Sequence, residues 1–491
     1  MKKIFIFLLL NFFVAENLFA QKEDRNWVFG DSIRIDFNNL SNPTVHHANC
    51  FNHESNASIS NYNGTLLGYL NTQDYWSGQD QYCEIMNRQN NLMENGDSIF
   101  QYYSSSDGAL FLPMPDDTNK YYFFSMSGNV PLQIFIASSV IDKSFNSGLG
   151  KVISKNNILE DSLLESVTAI RHGNGRDWWL LVHKRNSNRF VKFLISPTGI
   201  SSPTFQNIGS NFSGFWGECA VSSDGSKICW ISTDGNLDLF DFNRCDGELS
   251  NWTELGTPPY QASSVLIYGC EFSPDSKRLY VSKTFGPPIQ TNIFQYSLNA
   301  NPISNSKTDI LQATVGLELA QLELGPDNKI YIAGAQGGNI DSSIFFLSVI
   351  ETPNDSATSC NLDLYSLFLN GHYSRGGLPN MPQYNLSALD GSACDTLGID
   401  APNNVAEVIS NFDFSIYPNP FTEDFQLSIT GAETDAEVSI YNIIGQQQEH
   451  LTISRSKSIH QTLSLRNYSA GVYLVSITVN GQRFMRKVVK E

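Results

Sequence analysis

The chain has 491 residues, 41% hydrophobic and 16% charged, too long for one ordinary domain of roughly 100–200 residues. Its 31 Lys+Arg against 49 Asp+Glu give a net charge of −18, which repels phosphate backbones and argues against nucleic acid as a partner. Aromatics at 12%, with 35 Gly and 19 Pro, describe a folded, turn-rich, strand-rich chain rather than a disordered one.

The first twenty residues set Lys2-Lys3 before an apolar run from Ile4 to Leu10 and end on Leu18-Phe19-Ala20. A basic start, an apolar stretch too short to span a bilayer and a small residue at the exit predict a signal peptide over 1–20, cleaved before Gln21. Export places the eight cysteines, Cys50, Cys83, Cys219, Cys229, Cys245, Cys270, Cys360 and Cys394, in an oxidising compartment. Local proximity favours the pairs Cys229–Cys245, Cys219–Cys270, Cys360–Cys394 and Cys50–Cys83, with Cys245–Cys270 as a competitor. None lies in a CxxC, so no zinc or redox motif is predicted.

Next in the chain, His46, His47, Cys50 and His53 could ligate zinc or copper, but their spacing follows no regular pattern, and Cys50 is better read as half a disulfide. We therefore expect neither a bound metal nor a cofactor. His172-Gly173-Asn174-Gly175-Arg176-Asp177-Trp178-Trp179 offers imidazole, guanidinium and carboxylate beside two indoles, as a sugar site does. The simpler reading is a hairpin turn with an Arg/Asp pair, the two Trp side chains pointing to opposite strand faces.

Three hairpins repeat in the middle, around Asp224, Asp275 and Asp327, with intervals of 51 and 52 residues. In each, a strand runs into a tight Asp-Gly or Pro-Asp turn and a second strand of β-branched and aromatic residues. Fainter copies at 59–67, 112–117 and 173–179 bring the visible units to six. A period of about 50 residues carrying about four strands predicts a β-propeller of about seven blades, with Trp27-Val28-Phe29-Gly30 completing the last one. The three aspartates are expected to cap their own turns, blade-widths apart. Ser222-Ser223-Asp224-Gly225-Ser226 departs from the sialidase Asp-box, which wants Gly where Ser226 stands. No Gly-x-Ser-x-Gly, Gly-x-Gly-x-x-Gly or His-Glu-x-x-His occurs.

Phe272-Ser273-Pro274-Asp275-Ser276-Lys277 resembles the signature of WD-repeat-like bacterial propellers. Trp27-Val28-Phe29-Gly30, Asp241-Phe242-Asn243-Arg244-Cys245, Gly377-Leu378-Pro379-Asn380 and Gly391-Ser392-Ala393-Cys394-Asp395 resemble uncharacterised propellers exported by bacteria with type IX secretion. That resemblance implies a fold and no activity.

The pattern changes after a linker over 397–411. Residues 412–491 carry seven Lys/Arg and eight Asp/Glu, which leaves 22 basic and 40 acidic residues in 21–411, so the whole −18 resides there. Alternating strands in the tail predict a small immunoglobulin-like sandwich. The tail also resembles the type A C-terminal sorting domain of the type IX secretion system. The resemblance rests on Tyr417-Pro418-Asn419-Pro420, the strand Ile440-Tyr441-Asn442 ahead of Gly445, Ala470-Gly471-Val472-Tyr473, and Lys487-Val488-Val489-Lys490. It implies passage through the Sec translocase and the outer-membrane translocon, and removal by a sortase-like peptidase. Retention on anionic lipopolysaccharide, or release, would follow.

The expected protein is thus all-β: a propeller over 21–396 and a sorting sandwich over 412–491, secreted or on the cell surface. Without a catalytic motif, the propeller reads as a binding or adhesion module for a protein or glycan ligand. The alternative is an extracellular hydrolase or lyase acting on polysaccharide or glycoconjugate, with acidic residues dispersed over the propeller face.

Overall fold

A computed structural model describes residues 21–72, 81–129, 133–214, 216–232, 235–256, 265–285, 290–315, 319–334, 342–397, 413–430, 435–442, 446–454, 458–479 and 482–491. The signal peptide over 1–20, and all but residue 397 of the expected linker, lie outside these residues. The chain divides into two compact units, 1–404 and 405–491.

In the first unit, seven antiparallel sheets follow one another in sequence among the described residues, each woven from contiguous chain. Blade 1 holds three strands, Asn26–Phe29, Asp31–Asp36 and Thr44–Phe51. Blades 2 to 7 begin with the strands Ser58–Ser60, Ala109–Pro113, Leu163–Arg171, Cys219–Val221, Val265–Phe272 and Leu319–Leu324. Blade 4 adds a fifth strand, Thr204–Phe212, beside its third. Opening strands of successive blades lie against one another. Trp27 and Phe37 of blade 1 meet Tyr331 of blade 7 at 5.4 and 5.5 Å between ring centroids, which closes the ring. This is the propeller the repeat predicts, since each sheet buries its two faces only against its neighbours.

The ring closes differently from the expectation. Trp27–Gly30 does not join blade 7; its strand pairs with Asp31–Asp36 and opens a blade of its own. The connecting turn needs Gly30, at φ +57°, because a Cβ there would stand 2.3 Å from the Tyr373 carbonyl oxygen. Period counting cannot tell a strand that starts blade 1 from one that completes blade 7.

Alternation along the strands builds the interfaces between blades. Trp178 and Trp179 point to opposite faces, Trp178 into the core shared with Trp27 and Tyr331, and Trp179 into the core shared with Trp230 and Phe240. The second unit is a sandwich of a three-stranded and a four-stranded antiparallel sheet, packed around Phe425, Leu427, Val438, Ile440, Val475 and Ile477.

Candidate functional site

The centre of the propeller is filled by its own chain. After blade 7, residues 374–389 cross the centre and hydrogen-bond to five blades. Ser374 Oγ donates to the Gly334 carbonyl at 2.6 Å, and Leu378 N donates to Gln321 Oε1 at 2.7 Å, both on blade 7. Asn380 carries the crossing: its N donates to Asn56 O, ahead of blade 2, and its Nδ2 to Asp107 O and Val167 O. Tyr384 donates its hydroxyl to Phe111 O at 2.8 Å, and its own carbonyl accepts from Arg171 at 3.1 Å. Beyond it, Arg244 of blade 5 donates to Ser387 O, and Leu389 N donates to Gly173 O.

Six carboxylates lie on the opening strands of blades 2 to 7 or on the residues leading into them. They are Glu54, Asp107, Glu165, Glu218, Glu271 and Glu323. Asp107, Glu165, Glu218 and Glu271 are buried, and Glu54 and Glu323 half-buried. Burial pushes every one of them above the ordinary carboxylate range. Neighbouring carboxylates push the same way: Glu54 on Glu165, Asp107 on Glu218, and Glu271 on Glu323. Backbone N–H groups of Ser106, Cys219, Cys270 and Leu324 donate to four of them and offset part of this.

Asp107, Glu218, Glu271 and Glu323 line a cavity of about 20 Å³ under Asn380 and Met381, room for about one water molecule. On Glu165, Oε2 accepts from Ser106 N, while Oε1 has no hydrogen-bond partner among the described residues. Such groups are chemically the general acids and bases a hydrolase would use. Here Asp107, Glu218, Glu271 and Glu323 are covered by residues 380–383 of the plug.

Sequence reasoning missed this ring, although a signal was present. Glu54, Asp107 and Glu165 each stand seven residues before Asn61, Met114 and His172. Those three residues open equivalent turns, their N–H groups bonding Thr65 O, Lys120 O and Asp177 O. The other three share no such position: Glu218 stands four residues before Ser222, Glu271 two before Ser273 and Glu323 two before Gly325, where the matching turns of blades 5 to 7 open.

The turn aspartates do cap. Asp224 Oδ1 accepts from Ser226 N at 2.9 Å, Asp275 Oδ1 from Lys277 N at 3.1 Å, and Asp327 Oδ1 from Lys329 N at 3.4 Å. They are not all isolated by a blade-width: Asp224 N donates to Ser276 Oγ at 3.1 Å, so the turns of blades 5 and 6 touch.

His172 to Trp179 forms a hairpin turn. Arg176 pairs with Asp177 and with Asp116 across the blade boundary, His172 Nε2 bonds Cys245 O, and Trp179 Nε1 donates to Arg244 O. The cluster at 46–53 is dispersed. His46 bonds Thr44, His47 lies tilted against His372, His53 meets Tyr103 edge-on, and Cys50 Sγ is buried against the carbonyls of Phe29 and Gly30.

The disulfide expectations need correction. Cys245 bonds Cys394 with Cα atoms 5.4 Å apart, a pair that sequence proximity did not favour. Cys50, Cys83, Cys219, Cys229, Cys270 and Cys360 are buried free thiols. Cys219 and Cys270 hold equivalent places on adjacent blades, so they point the same way, into two different interfaces, and cannot meet. Cys229 belongs instead to the interface of Cys270, whose thiol it contacts. Cys394 reaches Cys245 only because the plug carries the chain across the ring.

In the tail, Asn419 ties the first loop to the last strand, its Oδ1 accepting from Val489 N and its Nδ2 donating to Lys487 O. Tyr473 donates to Ser469 O, and the Lys490 ammonium is buried against the Leu465 and Arg466 carbonyls. Tyr417, by contrast, is exposed.

Residues 415–491 match the family model of the secretion system C-terminal sorting domain. A domain of that family marks the protein as secreted or cell-surface and implies interaction with the type IX secretion machinery. A comparison with curated proteins returns no match. Among solved structures, the Pseudomonas aeruginosa periplasmic gluconolactonase is similar at 10% identity and a TM-score of 0.43, over 72% of this chain and 97% of that one. A Bacteroides fragilis protein described as a putative 6-phosphogluconolactonase gives 13% and 0.42, over 70% and 94%. The Swd1 β-propeller domain of Myceliophteria thermophila gives 9% and 0.36, over 64% and 94%. The propeller assignment rests on the sheet order itself, not on these likenesses.

Proposed function

We propose that the chain is an exported propeller that binds a protein or glycan at the bacterial surface, with the sorting domain as its delivery device. In this reading the first twenty residues direct it through the Sec translocase, and the sandwich engages the type IX translocon. A sortase-like peptidase then removes the tail, leaving the propeller over 21–396 on anionic lipopolysaccharide or free.

The observation that carries the binding role is the plug. Propeller enzymes assemble reacting groups at the channel mouth, and in this chain four of the six channel carboxylates, Asp107, Glu218, Glu271 and Glu323, share a cavity of about one water with residues 380–383 of the plug. These four cannot meet a substrate without displacement of that segment. Ligand contact is then left to the outer faces and turns.

The test is a paired screen of the mature, full-length protein against glycans and surface proteins, one arm reading binding and the other product formation. Saturable binding without turnover is expected. Turnover that disappears in Glu54→Gln or Glu165→Gln would instead establish the extracellular hydrolase or lyase.

A further inference from the structure

Two adjoining hollows lie between blades 1, 2 and 3, on the face that carries the turns joining first to second and third to fourth strands. One, of about 330 Å³, is lined by Arg34, Asn63, Thr65 and Arg88; the other, of about 350 Å³, by Thr65, Arg88, Asn119 and Lys143. Each is within the lower range of small-ligand pockets, and together they form a groove with Thr65 and Arg88 at its waist.

In a chain of net charge −18, two of the three cations of this groove, Arg88 and Lys143, stand out. Among the described residues, neither Arg88 nor Lys143 has a carboxylate within ion-pair distance. Arg88 uses one amino group on the Gly148 carbonyl and keeps the rest of its planar fork of donors. Lys143 sits over the Tyr121 ring at 5.7 Å, and partial burial lowers its pKa more than the carboxylates of Glu23 and Asp117, neither in ion-pair contact with it, raise it. The one acidic lining side chain, Asp36, is 3.8 Å from Arg34 and accepts from Asn38. Asn63, Thr65 and Asn119 are exposed around the cations, and Tyr62 on the same turn presents an exposed ring, 54% accessible. Half-buried cations, uncommitted amides and a hydroxyl beside an exposed aromatic suit a sugar chain that carries carboxylates.

We propose that this groove, floored by Arg88 and Lys143, binds an acidic oligosaccharide whose carboxylates pair with those two cations. The proposal rests on the binding role above and names its ligand class. Arg88 supplies a bidentate fork for one carboxylate, Lys143 a point charge for the next, and Tyr62 a face for the pyranose ring.

The test is calorimetric titration of the mature, full-length protein with a short oligogalacturonate and with a neutral galacto-oligosaccharide of equal length. Saturable binding of the uronate alone is expected, weakening as salt is raised. Arg88→Gln and Lys143→Gln should each weaken it about tenfold or more, the loss expected for one charge-assisted hydrogen bond. The Lys143 ammonium makes no hydrogen bond to the protein among the described residues, so its variant decides the matter if Arg88→Gln does not fold. Equal binding of the neutral sugar, unchanged affinity in Lys143→Gln, or displacement by an equal concentration of inorganic sulfate would each overturn the proposal. If both variants still bind some other glycan or protein, the groove assignment fails and the binding role stands; if the wild type binds nothing, the binding role itself fails.

Discussion

Raising the pH from 5 to 8 should destabilise the propeller, and the channel carboxylates set the sign. A carboxyl whose folded pKa lies above its unfolded value holds a proton in the native state that the unfolded chain has released. Its stabilising contribution is complete below the unfolded pKa and is lost as pH climbs through the folded one. Glu23, beside the plug anchor Arg171, is pushed from 4.5 to about 7 by burial, against the pull of that guanidinium. This group alone corresponds to about 3 kcal/mol lost between pH 4.5 and 7. Asp107, Glu165, Glu218, Glu271 and Glu323 shift the same way and add to the slope. The paired or capping carboxylates Glu94, Asp97, Asp117, Asp224, Asp241 and Asp275 are shifted down, so they stay ionised across the window and contribute no slope. His183, pushed from 6.5 to about 4 by burial, is neutral in the native state while its unfolded imidazole still binds a proton at pH 5, so it opposes this slope by about 2 kcal/mol, less than Glu23 and the channel carboxylates together. Scanning calorimetry of the mature protein should therefore show Tm falling by on the order of 5 °C or more from pH 5 to 8. Glu23→Gln and Glu165→Gln should flatten the profile. A Tm that rises over this range, or a slope the two variants leave untouched, would refute the claim that the channel carboxylates are buried and protonated.

Tyr384→Phe should cost about 1 kcal/mol by leaving Phe111 O without its donor, and Tyr384→Ala about 3–5 kcal/mol, read by urea unfolding. Thiol titration in denaturant should count six free cysteines, and mass mapping should find the single bridge Cys245–Cys394, whose reduction costs about 2–4 kcal/mol. Asp275→Ala should lower stability by about 0.5–2 kcal/mol through its lost turn cap and leave ligand binding intact. Deleting residues 412–491 should strand a folded propeller in the periplasm, as fractionation and protease resistance would report.

The parts legible in the sequence are those that repeat or have a fixed local chemistry. The Ser-Pro-Asp hairpin announces itself because a tight turn needs a side-chain cap and the next strand needs β-branched residues, and the blades followed from its spacing. Trp178 and Trp179 could be assigned to opposite faces because a strand has a period of two. The tail was legible as ordered motifs, and Asn419 and Lys490 are now seen to tie its ends together. What stayed hidden depends on path. Residues 374–389 carry no strand pattern, because their hydrogen bonds go one by one to five blades, and nothing local distinguishes such a segment from a loop. The Cys245–Cys394 bridge is a consequence of that path. The groove was hidden for a related reason: Arg34, Arg88 and Lys143 lie on three blades and share no motif.

The account turns on whether the plug closes the channel while the protein works. Hydrogen exchange of the mature, full-length protein with and without its bound ligand measures this at the amides of Leu378, Asn380 and Tyr384. Strong protection in both states is predicted, with ligand-induced changes confined to the outer turns. Exposure of these three amides on ligand binding, together with product release, would mean that the segment is a gate and that the carboxylates beneath it are a catalytic site.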